Sequence, residues 1–177
     1  MTSQQCLQIL RTVKDVAFAS VDAQGDPQVR IIDVMLIEEE RLYFCTARGK
    51  DFYQQLIAHP RIAIVGMNKD FQMVRLSGEA RHLDDQKYWI DRIFAENPSM
   101  CDVYPGDSRY ILEAFCIDTG ELSFFDLGRT PIEREQLPLG DGTPSLNGFV
   151  IQDAHRLHCG LCRERCPMQA IKKRGEK

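Results

Sequence analysis

Cys6, Leu7, Leu10 and Val13 recur at helical spacing and predict a short amphipathic helix over residues 4–14. From Asp15 the rhythm changes to apolar runs and alternation. The stretch DVAFASVDAQGDPQVRIIDVMLIEEERLYFCTA reads as strand, turn, long strand, turn, strand, with AQGDP and the acidic EEE as the turns. In KDFYQQLIAHP, Phe52, Tyr53, Leu56 and Ile57 share one helical face, and Pro60 stops the helix. RIAIVGM and FQMVRLSGEARHL read as strands. Asp84 and Asp85 predict the start of a helix carrying Trp89, Ile90, Ile93 and Phe94, which ends at Asn97-Pro98. RYILEAFCID, a turn at TG, and ELSFFDL predict a last hairpin.

Six or more strands with only short helices between them exclude a doubly wound parallel sheet. Tight turns between consecutive strands predict a mainly β fold, an antiparallel meander closing into a barrel. From Gly128 to Gly148 the composition shifts to Pro, Gly and charge, GRTPIEREQLPLGDGTPSLNG. The pattern therefore divides the chain into a body over 1–127, a linker over 128–148 and a cysteine-rich tail over 149–177.

Composition narrows the partners. The 177 residues are 44% hydrophobic, enough for one ordinary core with an appendage. With 22 basic and 26 acidic residues, net −4, nothing argues for nucleic acid; the basic run Lys172, Lys173 and Arg174 reads as a solvated terminus. No apolar run approaches the ~20 residues of a membrane span, and MTSQQCLQIL lacks the marks of a signal peptide. Seven cysteines, scattered except in the tail, suit reduced thiols and a ligand cluster in the cytoplasm better than a disulfide framework.

Chemistry-bearing residues are few in the body. Arg30 shares a strand face with Ile32, Val34 and Leu36, where a guanidinium is costly to bury unless an anion meets it. On the strand alone, a surface arginine at a strand end is an equal reading. TARGK lies between a strand and a helix, which sets Thr46 and Lys50 beside a helix N-terminus, where anions are favoured. Cys45 reads as a small buried hydrophobe. His59 and His82 read as surface residues, and spacing supports no Ser-His-Asp arrangement or carboxylate pair.

GDPQVRIIDVM, RLYFCTARGK, FYQQLIAHPRIAIVG and VRLSGEARHL follow one another across about residues 10–127. In that order and spacing they resemble the FMN-binding split-barrel family of pyridoxamine 5′-phosphate oxidase relatives, including its nitroimidazole-resistance reductase branch. The resemblance implies a split β-barrel in which Arg30, Thr46 and Lys50 hold the FMN phosphate and ribityl chain. It places main-chain groups of Ile31 and Ile32 against the flavin ring, with Gln72 or Met73 reaching it from a partner subunit. It implies a homodimer with each flavin at the interface. A true pyridoxamine phosphate oxidase needs a basic C-terminal segment for its substrate phosphate, and after ELSFFDL none is seen. The expected activity is therefore an FMN-dependent oxidoreductase serving a small acceptor from an unidentified electron donor. A non-catalytic flavin or haem binder, or a redox sensor, is the alternative.

The tail, LHCGLCRERCPMQAI, has the spacing C-x2-C-x3-C-P in Cys159, Cys162, Cys166 and Pro167. It resembles half of a bacterial ferredoxin, three quarters of the run C-x2-C-x2-C-x3-C-P. Arg156 stands where a further cysteine would fall. His155 or His158, or the body cysteines Cys6 or Cys101, are candidate fourth ligands. The donors suit an iron–sulfur cluster such as 4Fe-4S, acting as an electron relay, or tetrahedral zinc; a metal-free, vestigial tail remains open.

Overall fold

Two antiparallel sheets share the strands of this chain. The structure, a computed structural model, describes residues 1–143, 157, 159–166 and 171. In chain order the elements are α1 (Ser3–Val13), β1 (Asp15–Val21), β2 (Pro27–Asp33), β3 (Leu36–Glu38), β4 (Arg41–Ala47) and α2 (Asp51–Ala58). Then come β5 (Arg61–Met67), β6 (Gln72–Glu79), β7 (Arg81–His82), α3 (Gln86–Glu96), α4 (Met100–Val103), β8 (Leu112–Ile117), β9 (Gly120–Asp126), β10 (Glu133–Leu139) and, in the tail, α5 (Leu161–Glu164). The larger sheet has the order β10-β9-β6-β5-β1-β2 and the smaller β3-β4-β8-β7. This is the mainly antiparallel split barrel expected, although its strands do not run as a simple meander.

Local chemistry starts the helices. Thr2 and Gln5 form a capping box at α1, and Asp85 accepts the Tyr88 N–H at the start of α3. In α2, Phe52 and Leu56 are buried as expected, but Ile57 is half exposed.

Three strand expectations are corrected, each where the chain changes sheets. The long strand over 27–38 is two strands. Between them the Val34 N–H donates to Lys14 O and the Met35 N–H to Tyr43 O, both at 2.9 Å, which carries the chain from the larger sheet to the smaller. FQMVRLSGEARHL likewise breaks at Ala80, between β6 of one sheet and β7 of the other. The final hairpin does not form: β8 pairs with β4 and β7, whereas β9 pairs with β6 and β10. The glycine of TG is needed for a close approach. A Cβ on Gly120 would lie 2.3 Å from Ser77 O.

The linker also begins later than expected. Residues 133–139 form β10, paired with β9 along their whole length, and Leu139 is fully buried. Pro138 is tolerated because β10 is an edge strand.

The smaller sheet is covered on both faces. Phe44, Phe115 and Ile117 face the larger sheet, α1 and α2; Tyr43, Ala114 and Cys116 face α3. No described helix is long and apolar enough to cross a membrane.

Candidate functional site

Arg30 sits opposite Phe18 in the β1–β2 ladder, so its side chain points to the core face of an edge strand. The guanidinium carbon lies 4.4 Å from the centre of the Phe52 ring. Nη1 donates to Ser20 Oγ at 2.6 Å and Nη2 to Gln55 Oε1 at 2.9 Å. Both acceptors are neutral, and Ser20 also donates to Gln55. Among the described residues no carboxylate pairs with Arg30, and burial lowers its pKa from the ordinary arginine value. The result is a partly buried, positioned cation without a counter-charge among the described residues.

The helix beneath Arg30 adds further groups of the same kind. Lys50 is the N-cap residue of α2 and makes no side-chain cap. The first helical bonds come from the Tyr53 and Gln54 N–H groups to Lys50 O. The Asp51 and Phe52 amides are thus left outside the helical ladder, at its positive end. Thr46, at the end of β4, is only 4% exposed, while Arg48, Gly49 and Lys50 are exposed. One turn therefore gathers Thr46, Lys50 and the start of α2, and α2 carries Phe52 and Gln55 to Arg30. Three sequence-predicted residues converge on one helix.

The other expected residues divide. The Asp22 N–H donates to Asp26 O and the Val34 N–H to Lys14 O, so even-numbered residues of β2 turn their main chain toward β1. The main-chain groups of Val29, Ile31 and Asp33 then face the open edge. Ile31 is available to a ligand there, whereas Ile32 is held in the ladder. Gln72 and Met73, in β6, are three strands from β2, about 14 Å at ordinary strand spacing. Gln72 is tied to Asn68 and Asp126.

A cluster that sequence reading missed lies on the other flank of α2. Glu113 is 7% exposed and faces Thr46 directly across the β4–β8 ladder. One carboxylate oxygen accepts from Arg48 Nη1 at 3.1 Å; the other accepts from Tyr53 Oη at 3.1 Å and makes a short contact to His82 Nε2. Arg48 Nη2 also donates to Tyr110 O at 2.9 Å. Burial raises the Glu113 pKa, but hydrogen bonds from His82 and Tyr53, with the nearby cations, outweigh it and hold the group below the usual carboxylate range. These residues come from β4–α2, α2, β7 and β8, so no local spacing could have revealed them. His82, read as a surface residue, is indeed accessible but is engaged by Glu113.

Among the body cysteines, Cys6, Cys45 and Cys116 are buried; burial pushes Cys45 up to about 12, the state of an inert thiol. In the tail, Cys159 and Cys162 are exposed and Cys166 half-buried around the short α5. Among the described residues, no three His, Cys, Asp or Glu side chains gather as they would around a metal ion. His155 and His158 lie outside the described residues.

A model of the family described as pyridoxamine 5′-phosphate oxidase matches residues 2–101. Among solved structures, a NimC/NimA family protein from Clostridium acetobutylicum is similar with a TM-score of 0.66 at 25% identity, over 77% of this chain and 92% of that one. A pyridoxamine 5′-phosphate oxidase-related FMN binding protein from Nostoc punctiforme gives 0.53 at 15% identity, over 75% and 85%. A heme binding protein from Mycobacterium smegmatis gives 0.53 at 16% identity, over 76% of this chain and 58% of that one. No curated protein matches in sequence.

Proposed function

The chain belongs to the pyridoxamine 5′-phosphate oxidase family, and from that premise we propose that it is an FMN-dependent oxidoreductase. The observation that carries the reading is the Arg30 guanidinium, partly buried over Phe52 with only neutral partners among the described residues. A single terminal phosphate suits it, because a dianion supplies the missing counter-charge and accepts a two-pronged donor. Lys50 and the free amides at the start of α2 meet the same phosphate, and the Thr46 hydroxyl meets the phosphate or the ribityl chain. The open edge of β2 at Ile31 offers main-chain groups to the ring. When bound, the flavin supplies hydride or electron transfer between a donor and a small acceptor; the chain anchors and orients it.

Assembly as a homodimer is part of this reading. Ile31, Ala17 and Val65 stand in register across β2, β1 and β5 on the outer face of the larger sheet. Val29, Ile31, Val65 and Met67 there are 72%, 64%, 37% and 50% exposed, an apolar band that calls for cover. A second copy over this face buries the band; of its two candidate residues Met73, paired with Met67, lies on that face, whereas Gln72 shares the core face of Val74. The tail adds a separate element. Its three thiols are suitable donors for an iron–sulfur cluster or zinc, and the spacing of Cys159, Cys162 and Cys166 is what supports a metal there. A cytoplasmic location suits the reduced thiols.

The competing reading is a binder that stores flavin or haem, as the similarity to a heme binding protein keeps in view. Protein purified without oxygen should show a flavin spectrum, bleach with a nicotinamide cofactor or dithionite, and recover through turnover of a small acceptor. Bleaching without turnover of any acceptor favours the store, and absence of bound flavin rejects both flavin readings.

A further inference from the structure

We propose that Cys159 and Cys162 are a dithiol–disulfide pair that exchanges with small disulfides, a redox site in the tail separate from the flavin. The pair needs no flavin. It sets a second state beside the metal-bound one proposed above, because a disulfide and a metal compete for the same thiols.

The chain bends between the two residues. Gly160 is left-handed, with φ 79° and ψ −11°, and α5 starts at the next residue, Leu161. The Arg163 N–H donates to Gly160 O at 2.9 Å and the Glu164 N–H to the same oxygen at 3.2 Å, which fixes the bend to the helix. Cys159 therefore enters the bend, and Cys162 lies in the first turn of α5. A disulfide spans Cα atoms roughly 4.4–6.8 Å apart, a separation that residues three apart reach in a tight turn. A Cβ on Gly160 would meet nothing within 4 Å, so the glycine serves its dihedral angles and not close packing.

Exchange requires access. Cys159 and Cys162 are both exposed, whereas Cys6, Cys45 and Cys116 are buried in the body. Cys101, exposed as well, belongs to α4 of the body and not to the bend. The third tail thiol, Cys166, is half-buried and comes after the end of α5. Among the described residues the three tail thiols do not gather into a metal-holding set, with one another or with a His, Asp or Glu. A closed tetrahedral site needs its donors to converge, but exchange needs only two thiols within one turn.

The chemistry balances with a small disulfide as the oxidant. One cysteine, as its thiolate, attacks a sulfur of the small disulfide, forming a mixed disulfide and expelling one small thiolate. The second cysteine then attacks the protein sulfur of that bond and expels the other. The two protein thiols give up two electrons to the small disulfide and two protons to the solvent. Oxidation thereby removes two of the three thiolates open to a metal.

The test equilibrates full-length protein, with a chelator present, in mixtures of reduced and oxidised glutathione. Remaining thiols are alkylated after unfolding, and bonds are mapped by peptide mass spectrometry. Wild type should lose two hydrogen atoms to one bond, Cys159 to Cys162, and regain them in excess reduced glutathione. Cys166→Ser should keep that bond. Cys162→Ser should instead retain glutathione on Cys159, since the thiol that resolves the mixed disulfide is gone.

Cys159 and Cys162 still alkylated in the most oxidising mixture would overturn the pair, as would a bond from either to Cys166 or Cys101. Iron and zinc assays on the reduced protein without chelator test the metal state separately, and their outcome leaves the bond map unchanged.

Discussion

Thr46 and Glu113 face each other directly across the β4–β8 ladder, and both are almost fully buried. A hydroxyl expected to meet an anion therefore has a carboxylate for a neighbour. The arrangement is tolerable because that carboxylate is committed elsewhere, to Arg48, Tyr53 and His82.

This commitment has an acid signature. The pKa of Glu113 is lower in the folded chain than its ordinary value of 4.5, despite burial, because its hydrogen bonds favour the charged form. The stability it contributes is present above the ordinary value and is lost as pH falls through the folded value. In Glu113→Gln the charged hydrogen bonds are gone already, costing about 1–3 kcal/mol at neutral pH. Urea unfolding from neutral pH down to about pH 3 should therefore show a smaller acid loss in the variant than in wild type. Equal losses would contradict the assignment.

Phe115 supports the same cluster from below. It is fully buried, stacks on Phe44 at 5.5 Å, and meets the edges of Tyr53 and His82. Phe115→Ala should cost about 3–5 kcal/mol in urea unfolding through the cavity it leaves. A loss under about 1 kcal/mol would mean that the core between the sheets collapses around the gap.

The outer face of the larger sheet gives a prediction about assembly. Ile31→Glu places a charge in the row Ile31, Ala17 and Val65 without touching the core. Sedimentation should find wild type dimeric and the variant monomeric or much weaker in association. A wild-type monomer loaded with flavin would remove the interface from the account.

Much of the fold was legible because apolar alternation along β1, β5 and β9 and helical spacing in α1 and α3 are local signals. Where the chain changes sheets, hydrophobic pattern was silent. Val34 and Met35 continue the apolar run of β2 yet leave its ladder, and Gly120 looked like a hairpin turn although its role is close approach to Ser77. β10 has the composition of a linker because an edge strand can carry Pro138 and alternating charge. In the candidate site, the resemblance pointed to Arg30, Thr46 and Lys50, which the fold brings to α2 and the turn before it; nothing in the sequence pointed to the pairing of Glu113 with His82. Their partnership exists only after β7 and β8 pair.

For the tail, the expectation is that metal and flavin separate. Iron, zinc and FMN assays on anaerobically purified wild type and Cys162→Ser should show the metal lost and the flavin kept, since a thiolate ligand is removed far from the β4–α2 turn in sequence. Wild type without metal would leave the cysteine spacing without a metal role.

In the proposed function, Arg30 and Lys50 hold the flavin by its phosphate. The most direct test of this is the affinity of wild type, Arg30→Ala and Lys50→Ala for FMN, with riboflavin as the ligand that lacks the phosphate. Arg30→Ala should weaken FMN binding roughly ten- to hundredfold, the loss of a charge-assisted two-pronged contact, and leave riboflavin binding nearly unchanged. FMN binding unchanged in both variants would contradict the account.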